Sequence, residues 1–318
     1  LSSIQSIQAE QTNQTNCSGV FLLNKPVGIT SNRALQICKR LLSAKKAGHT
    51  GTLDPGAQGL LPICLGEATK FSSALLDADK TYIASFKLGY VSDTGDFEGE
   101  IKPVTHGEMT PPNHQQITAV LSTFLGQSEQ VPPMFSALKR HGKPLYQYAR
   151  EGVTVERKSR EITIHELSLN TILDFVITIT VCCSSGTYIR TLAEDIGRAL
   201  GYGGAYLTAL TRTKVGHFDL SQAISLEQLE STPLTDRFRF LYPVDSLLEH
   251  FPIYICDAGE TMYLLHGRTI IKKNILPVPA VHSKLRLYNS ENVFLGLGEW
   301  VDTETIAPKR MIVPTGKL

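Results

Sequence analysis

Asp54 is the only carboxylate between Glu10 and Glu67, and that interval also carries six basic side chains, Lys25, Arg33, Lys39, Arg40, Lys45 and Lys46. It sits within Gly48-His49-Thr50-Gly51-Thr52-Leu53-Asp54-Pro55-Gly56-Ala57-Gln58-Gly59, a loop dense in glycine. A lone acid among cations suits work on a nucleic acid: the cations hold phosphates while the carboxylate attacks or accepts a proton. Asp-Pro-Gly is equally a turn, since Pro fixes φ, Gly permits positive φ and Asp bonds its own backbone. Both readings hold together, because catalytic groups often ride on loops braced by a rigid scaffold. Three further side chains stand out: Tyr82 at a strand start, Arg190 entering a helix, and His49 ahead of the acid in the same loop.

Familiar alternatives are missing. There is no G-x-x-x-x-G-K-[ST], no G-x-S-x-G, no H-E-x-x-H and no strand-to-helix G-x-G-x-x-G. No further His or carboxylate lies close enough in sequence to Asp54 to suggest a metal site. None of the six cysteines (Cys17, Cys38, Cys64, Cys182, Cys183 and Cys256) forms a C-x-x-C pair. That argues against zinc and a disulfide framework and suits a reducing, cytoplasmic setting. No apolar run reaches a membrane span. With 318 residues, 42% hydrophobic, the chain is long enough for two domains. Its net charge of +1 hides an uneven distribution. Segments 11–66 and 131–160 are both strongly basic, and the rest is acidic. Two basic stretches on an acidic body read as polyanion footprints or as solvated basic faces.

The elements that would carry these residues can be read from periodicity. Val20–Leu23 and Leu60–Leu65 read as short buried strands. Ser31 is expected to cap a helix over Asn32–Leu42, and Ala68–Leu76 looks helical. Residues 81–90 alternate, with Tyr82, Ala84, Phe86 and Leu88 on one face. Thr94-Gly95-Asp96 reads as a turn and Pro111–Leu125 as a helix. Ile162–His165 and Val176–Cys182 read as strands, and Thr187–Leu200 as a helix closed by Gly201. From about Phe251, short strands at Tyr254–Cys256, Arg268–Ile271, Leu285–Tyr288, Val293–Leu295 and Met311–Val313 suggest a small all-β module. Hairpin-like strands with intervening helices and no βαβ repeat give α+β with a mixed or antiparallel central sheet flanked by helices.

Six ordered blocks resemble the TruB family of tRNA pseudouridine synthases. Gly19–Ser31 is similar to its opening motif, Gly48–Pro55 to its active-site loop, and Gly59–Lys70 to the continuation. Asp79-Lys80-Thr81-Tyr82 resembles its tyrosine motif, Met134–Lys139 with Gly142–Gly152 its RNA-gripping insertion, and Ser185–Gly197 its arginine motif. The resemblance implies the pseudouridine synthase fold and isomerisation of uridine to pseudouridine in the T-arm of tRNA, at position 55. The C–N glycosidic bond breaks, and the uracil turns and rejoins through carbon 5, with no cofactor and no metal. It implies Asp54 as the nucleophile, with Arg190 compensating its charge and Tyr82 stacking on the uracil and assisting proton transfer. Tyr188 and Leu210 would line the base pocket. His49 would fill the stack vacated by the extruded base, and Lys25 would serve structure or phosphate. Without the resemblance, Arg190 suits an ordinary ion pair, Tyr82 a half-buried strand position, and Tyr188 and Leu210 core.

The organisation expected is a disordered extension over 1–18, a catalytic domain over 19–245 with a gripping insertion at about 131–160, and a PUA-like RNA-binding domain over 251–318. Lys139, Arg140 and Lys143 are expected to grip RNA, interleaved with Phe135, His141, Tyr146 and Tyr148. The expected partner is the T-arm stem-loop of tRNA, bound by a monomer. Two other readings stay open: a guide-RNA-dependent relative, which should lack this basic insertion, and a non-catalytic RNA-binding or RNA-folding protein on the same scaffold.

Overall fold

The apolar runs Val20–Leu23 and Leu60–Leu65 and the alternation at 81–90 fall on strands Gly19–Lys25, Gln58–Leu65 and Lys80–Leu88, the last ending two residues early, in the computed structural model, which describes residues 17–104, 109–273 and 277–312. Among these residues the main sheet has eleven strands, and its spine runs Ile224–Ser225, Gly19–Lys25, Gln58–Leu65, Ala205–Val215, Lys80–Leu88, Val176–Cys183, Arg160–Leu173, Gly126–Gln130. Most neighbours are antiparallel, but Ala205–Val215 meets Gln58–Leu65 in parallel. That junction has two registered pairs, Thr211↔Gln58 and Arg212↔Gly59, and it joins the halves of the sheet. Gly59 has φ +104°, and a Cβ there would lie 2.3 Å from the Arg212 carbonyl oxygen. Only glycine allows the strands to close at this point.

Each half buries its own core. Helices His114–Ser122 and Ile189–Ala199 place Ile117, Leu121, Leu192 and Ile196 over Ala84, Phe86, Ile177 and Ile179. Helix Ser31–Leu41 places Ala34, Leu35 and Cys38 against Phe21, Leu23 and Ile63. A third cluster joins Val20, Leu22 and Leu60 to Leu247, Leu248, Phe294 and Leu297, so the C-terminal five-stranded sheet packs on the main one.

Several expectations need correction. Thr30, not Ser31, caps the first long helix, accepting from the Arg33 N–H. Residues 66–76 form a 3-10 turn, Gly66–Lys70, and one short helix, Ser73–Leu76. The central strand Ala205–Val215 has no counterpart among the expected elements, and the strand expected at Ile162–His165 extends over Arg160–Leu173. The C-terminal module is not all-β: helix Ala258–Leu265 is closed by a capping box from Asp257 and Glu260. Its last strand is Thr305–Met311 rather than Met311–Val313, and Val313 lies outside the described residues. Of the extension expected over 1–18, residues 1–16 lie outside the described residues. Cys17 is buried and the Ser18 hydroxyl accepts from the Glu67 N–H, so these two belong to the folded body.

Candidate active site

The Asp54 loop crosses the mouth of the sheet junction, tied down residue by residue. The buried Ser31 hydroxyl donates to the Leu53 carbonyl and accepts from the Leu53 N–H, both at 2.8 Å. The Gly28 N–H donates to the Pro55 carbonyl at 2.9 Å, and the Gly56 N–H to the Glu98 carboxylate at 3.0 Å. The Ala57 N–H closes the Asp-Pro-Gly turn on the Asp54 carbonyl at 3.1 Å. The turn and the chemical reading of this tripeptide therefore coexist: the turn fixes the backbone and leaves the carboxylate free to point inward.

That carboxylate meets Arg190. Asp54 Oδ2 lies 3.2 Å from Arg190 Nε, with the arginine side chain 7% exposed and the aspartate side chain 39% exposed. Arg190 stands in the first turn of Ile189–Ala199, and the rest of its guanidinium is held by the carbonyls of Thr94 at 2.6 Å and Phe135 at 2.7 Å. Asp96, buried and bonded to the Thr94 hydroxyl, stands 3.9 Å from it on the other side. The guanidinium is thus fixed before any ligand arrives. Burial raises the Asp54 carboxyl above its ordinary value, Arg190 and Lys25 pull it back down, and Asp96 adds to the rise. A carboxylate with one open face, one fixed cation and a raised proton affinity is a poised nucleophile or base.

Tyr82 projects from Lys80–Leu88 into the same space. Burial raises its phenol, and Arg212 opposes this as a nearby charge and hydrogen-bond donor. Arg212, 1% exposed, donates through Nε to the Leu60 carbonyl at 2.8 Å and through a terminal nitrogen to the Gly51 carbonyl at 3.2 Å. It therefore links the sheet junction to the loop. Lys25 is fully buried and donates to the carbonyls of Pro26 and Ile29, each at 2.8 Å. Its ammonium is pushed down to about 8 by burial. Of the two roles expected for Lys25, this geometry is the structural one.

Arg212 and the Asp54–Arg190 pair border a cavity of about 350 Å³, from whose lining Lys25 and Asp96 are absent. Asp54, Tyr82, Tyr188, Arg190 and Leu210 all line it, so the structure brings those five expected residues together. Tyr188 is held through its backbone by buried Gln130, which accepts from the Tyr188 N–H at 2.7 Å and donates to its carbonyl at 3.1 Å. His49 is not among the lining residues. It pairs with Ile63 at the sheet edge, its buried Nδ1 has no partner among the described residues, and burial lowers its pKa.

The basic insertion forms a hairpin, Lys139–Arg140 against Lys143–Pro144, followed by helix Leu145–Arg150. His141 and Gly142 both take positive φ, the geometry of a tight I′ turn. Lys139 and Arg140 are exposed, while Lys143 covers the Tyr148 ring at 4.5 Å and pairs with Glu151. Arg140 donates to the Glu156 carbonyl. Arg150 covers Tyr146 at 5.4 Å, so both tyrosines carry a cation and neither is plain core.

The sequence reading missed Ser31, Asp96, Gln130 and Arg212 as site residues. Asp96 lies inside a segment read as a turn, and Arg212 lies two residues after Leu210 in a strand the periodicity does not announce.

Comparison with known proteins points the same way. Residues 39–189 match the family described as TruB family pseudouridylate synthase (N terminal domain). Residues 190–249 match the tRNA pseudouridylate synthase B C-terminal domain, and 255–312 match Pseudouridine synthase II TruB, C-terminal. The tRNA pseudouridine synthase B of Nitrosomonas europaea is 65% identical over 92% of this chain and 94% of its own length. That of Nitrosospira multiformis is 52% identical over 93% and 95%. Among solved structures, an H/ACA RNP bound to a substrate RNA containing 2′-deoxyuridine shares the fold, with a TM-score of 0.70 at 23% identity over 95% of this chain and 86% of the other.

Proposed function

The chain belongs to the TruB family of pseudouridylate synthases, and on that premise we propose that it isomerises uridine in the T-arm of tRNA, at position 55, with Asp54 as nucleophile. The observation that carries this reading is the Asp54–Arg190 contact in a cavity that Tyr82 also lines. Net chemistry breaks the C1′–N1 bond, forms C1′–C5, removes the proton from C5 and places one on N1. The carboxylate bonds covalently to the substrate and leaves again, so it returns unchanged. Arg190 keeps Asp54 ionised as water is displaced from the cavity. Tyr82 stacks on the uracil and serves the proton transfer, and Tyr188 and Leu210 confine the ring while it turns.

The base has to leave its stack to reach Asp54, at a cost of a few kcal/mol. His49, on the same loop as Asp54 and outside the cavity lining, is assigned to the vacated space. Lys139, Arg140 and Lys143 supply phosphate contacts, stiffened by the stacked tyrosines. The insertion supports action without a guide RNA or helper proteins. Residues 251–318 are assigned to a further RNA-binding domain, and the monomer is taken as the working unit. Six free thiols support a reducing, cytoplasmic setting.

The test is purified protein with an unmodified tRNA transcript and nothing else. Conversion of the uridine at position 55 supports the proposal. Conversion elsewhere, or only after a guide RNA is added, contradicts it.

A further inference from the structure

Ser136 has a position that the proposed mechanism does not use. It lies in the insertion, yet it is only 5% exposed and lines the same cavity as Asp54, Tyr82 and Arg190. Its backbone is fixed on both sides: the N–H donates to the Met134 carbonyl at 2.9 Å, and the carbonyl accepts from the Tyr146 N–H at 3.0 Å. The preceding residue, Phe135, gives its carbonyl to Arg190 at 2.7 Å. The Ser136 hydroxyl itself has no hydrogen-bond partner among the described residues, although it is buried. An unpaired buried hydroxyl is a net cost to the fold, and such a group in a folded protein calls for an explanation.

Thr50, in the Asp54 loop, also buries a hydroxyl unpaired among the described residues but does not line the cavity, and four other buried polar groups around the site are engaged. Ser31, Gln130, Arg190 and Arg212 each make two or more hydrogen bonds with described atoms. Burying the alcohol only to leave it idle would be a loss that alanine avoids. The backbone on either side is pinned, so Ser136 is held in its place in the cavity lining. A hydroxyl can donate one hydrogen bond and accept others, which matches the mixed polar edge of a nucleotide.

We infer that the Ser136 hydroxyl is a positioning contact for the nucleotide drawn into the cavity, donating a hydrogen bond to one of its oxygen atoms. The inference rests on the proposed uridine isomerisation and adds to it. The insertion then does two things: its cations hold the RNA outside, and its first turn places a neutral donor against the reacting nucleotide. The contact forms only after the base is extruded, so it contributes to the chemical step more than to capture of tRNA.

The test compares wild type with Ser136→Ala under single turnover. Alanine is expected to slow isomerisation by roughly tenfold or more, a lost hydrogen bond in a closed site, with tRNA affinity within about twofold of wild type. Thermal stability separates this role from a structural one. Removing an unpaired hydroxyl leaves the melting temperature unchanged or raises it, whereas removing a structural hydrogen bond lowers it. Transcripts carrying 4-thiouridine or 2′-deoxyuridine at the target locate the oxygen. The penalty of Ser136→Ala disappears on whichever substrate already lacks the acceptor. A variant that turns over at the wild-type rate, or that melts lower, overturns the inference. An inactive wild type overturns the reading beneath it instead.

Discussion

Replacing Ser31 by alanine should damage the active site without touching any group that meets substrate. The Ser31 hydroxyl is 2% exposed and holds both backbone groups of Leu53, itself 3% exposed, at 2.8 Å. The substitution removes no bulk beyond one oxygen but leaves a buried N–H and a buried C=O without that partner. Each such loss costs about 1–3 kcal/mol, and partial relaxation of the loop brings the sum to about 2–4 kcal/mol. For a protein of this size about 1 kcal/mol moves the melting point by roughly 2–4 °C, so a fall of about 5–15 °C is expected. Leu53 precedes Asp54, so relaxation also moves the carboxylate away from Arg190. Misplacement on the order of 1 Å costs about a hundredfold in rate. Differential scanning calorimetry and single-turnover isomerisation on saturating tRNA read the two effects. A variant that melts within about 1 °C of wild type, or that keeps its full rate, refutes the claim that this hydroxyl holds the catalytic loop.

The same geometry carries other expectations. Arg190→Met removes the largest influence pulling the Asp54 carboxyl down, so the acid limb of the single-turnover pH profile should move to higher pH, together with a large loss of rate; an unmoved limb contradicts the pairing. Lys25 is pushed down to about 8 by burial, below its unfolded value of 10.5, so the unfolded chain binds more protons between the two. Wild-type stability relative to Lys25→Met should therefore be flat below about pH 8 and rise from there toward pH 10.5, read by urea unfolding; a gap that falls with pH has the wrong sign. Changing Lys139, Arg140 and Lys143 together to alanine should flatten the dependence of log Kd on log salt by up to about three units; an unchanged slope means these cations are not the footprint.

Legibility in the sequence tracked local rules. Strands Gly19–Lys25, Gln58–Leu65 and Lys80–Leu88 announce themselves through the apolar runs Val20–Leu23 and Leu60–Leu65 and the alternation at 81–90. Strand Ala205–Val215 does not, and the reason is visible. Its register slips between Leu207 and Ala209 and again between Arg212 and Lys214, and each bulge inverts the facing of the residues beyond it. Arg212 was hidden by the same slips and by its type, since arginine is seldom fully buried. Ser31 looked like a cap because Ser often is one, but the preceding Thr30 takes that task and frees the Ser31 hydroxyl for a contact 22 residues away. Helix Ala258–Leu265 carried a readable signal in Asp257 and Glu260 that the surrounding short strands masked. Asp54, Tyr82, Tyr188, Arg190 and Leu210 were legible as a set through family resemblance. Spacing alone did not show that a helix start, two strands and a loop would converge on one cavity.

The central claim is that a single carboxylate forms and releases the covalent bond. Asp54→Asn keeps the shape of the side chain and one acceptor oxygen while removing its charge, so tritium release from 5-tritiated uridine in a T-arm transcript reads it directly. The account predicts release at background, with tRNA Kd within roughly tenfold of wild type, about 1.4 kcal/mol. Release at a rate comparable to wild type would contradict it.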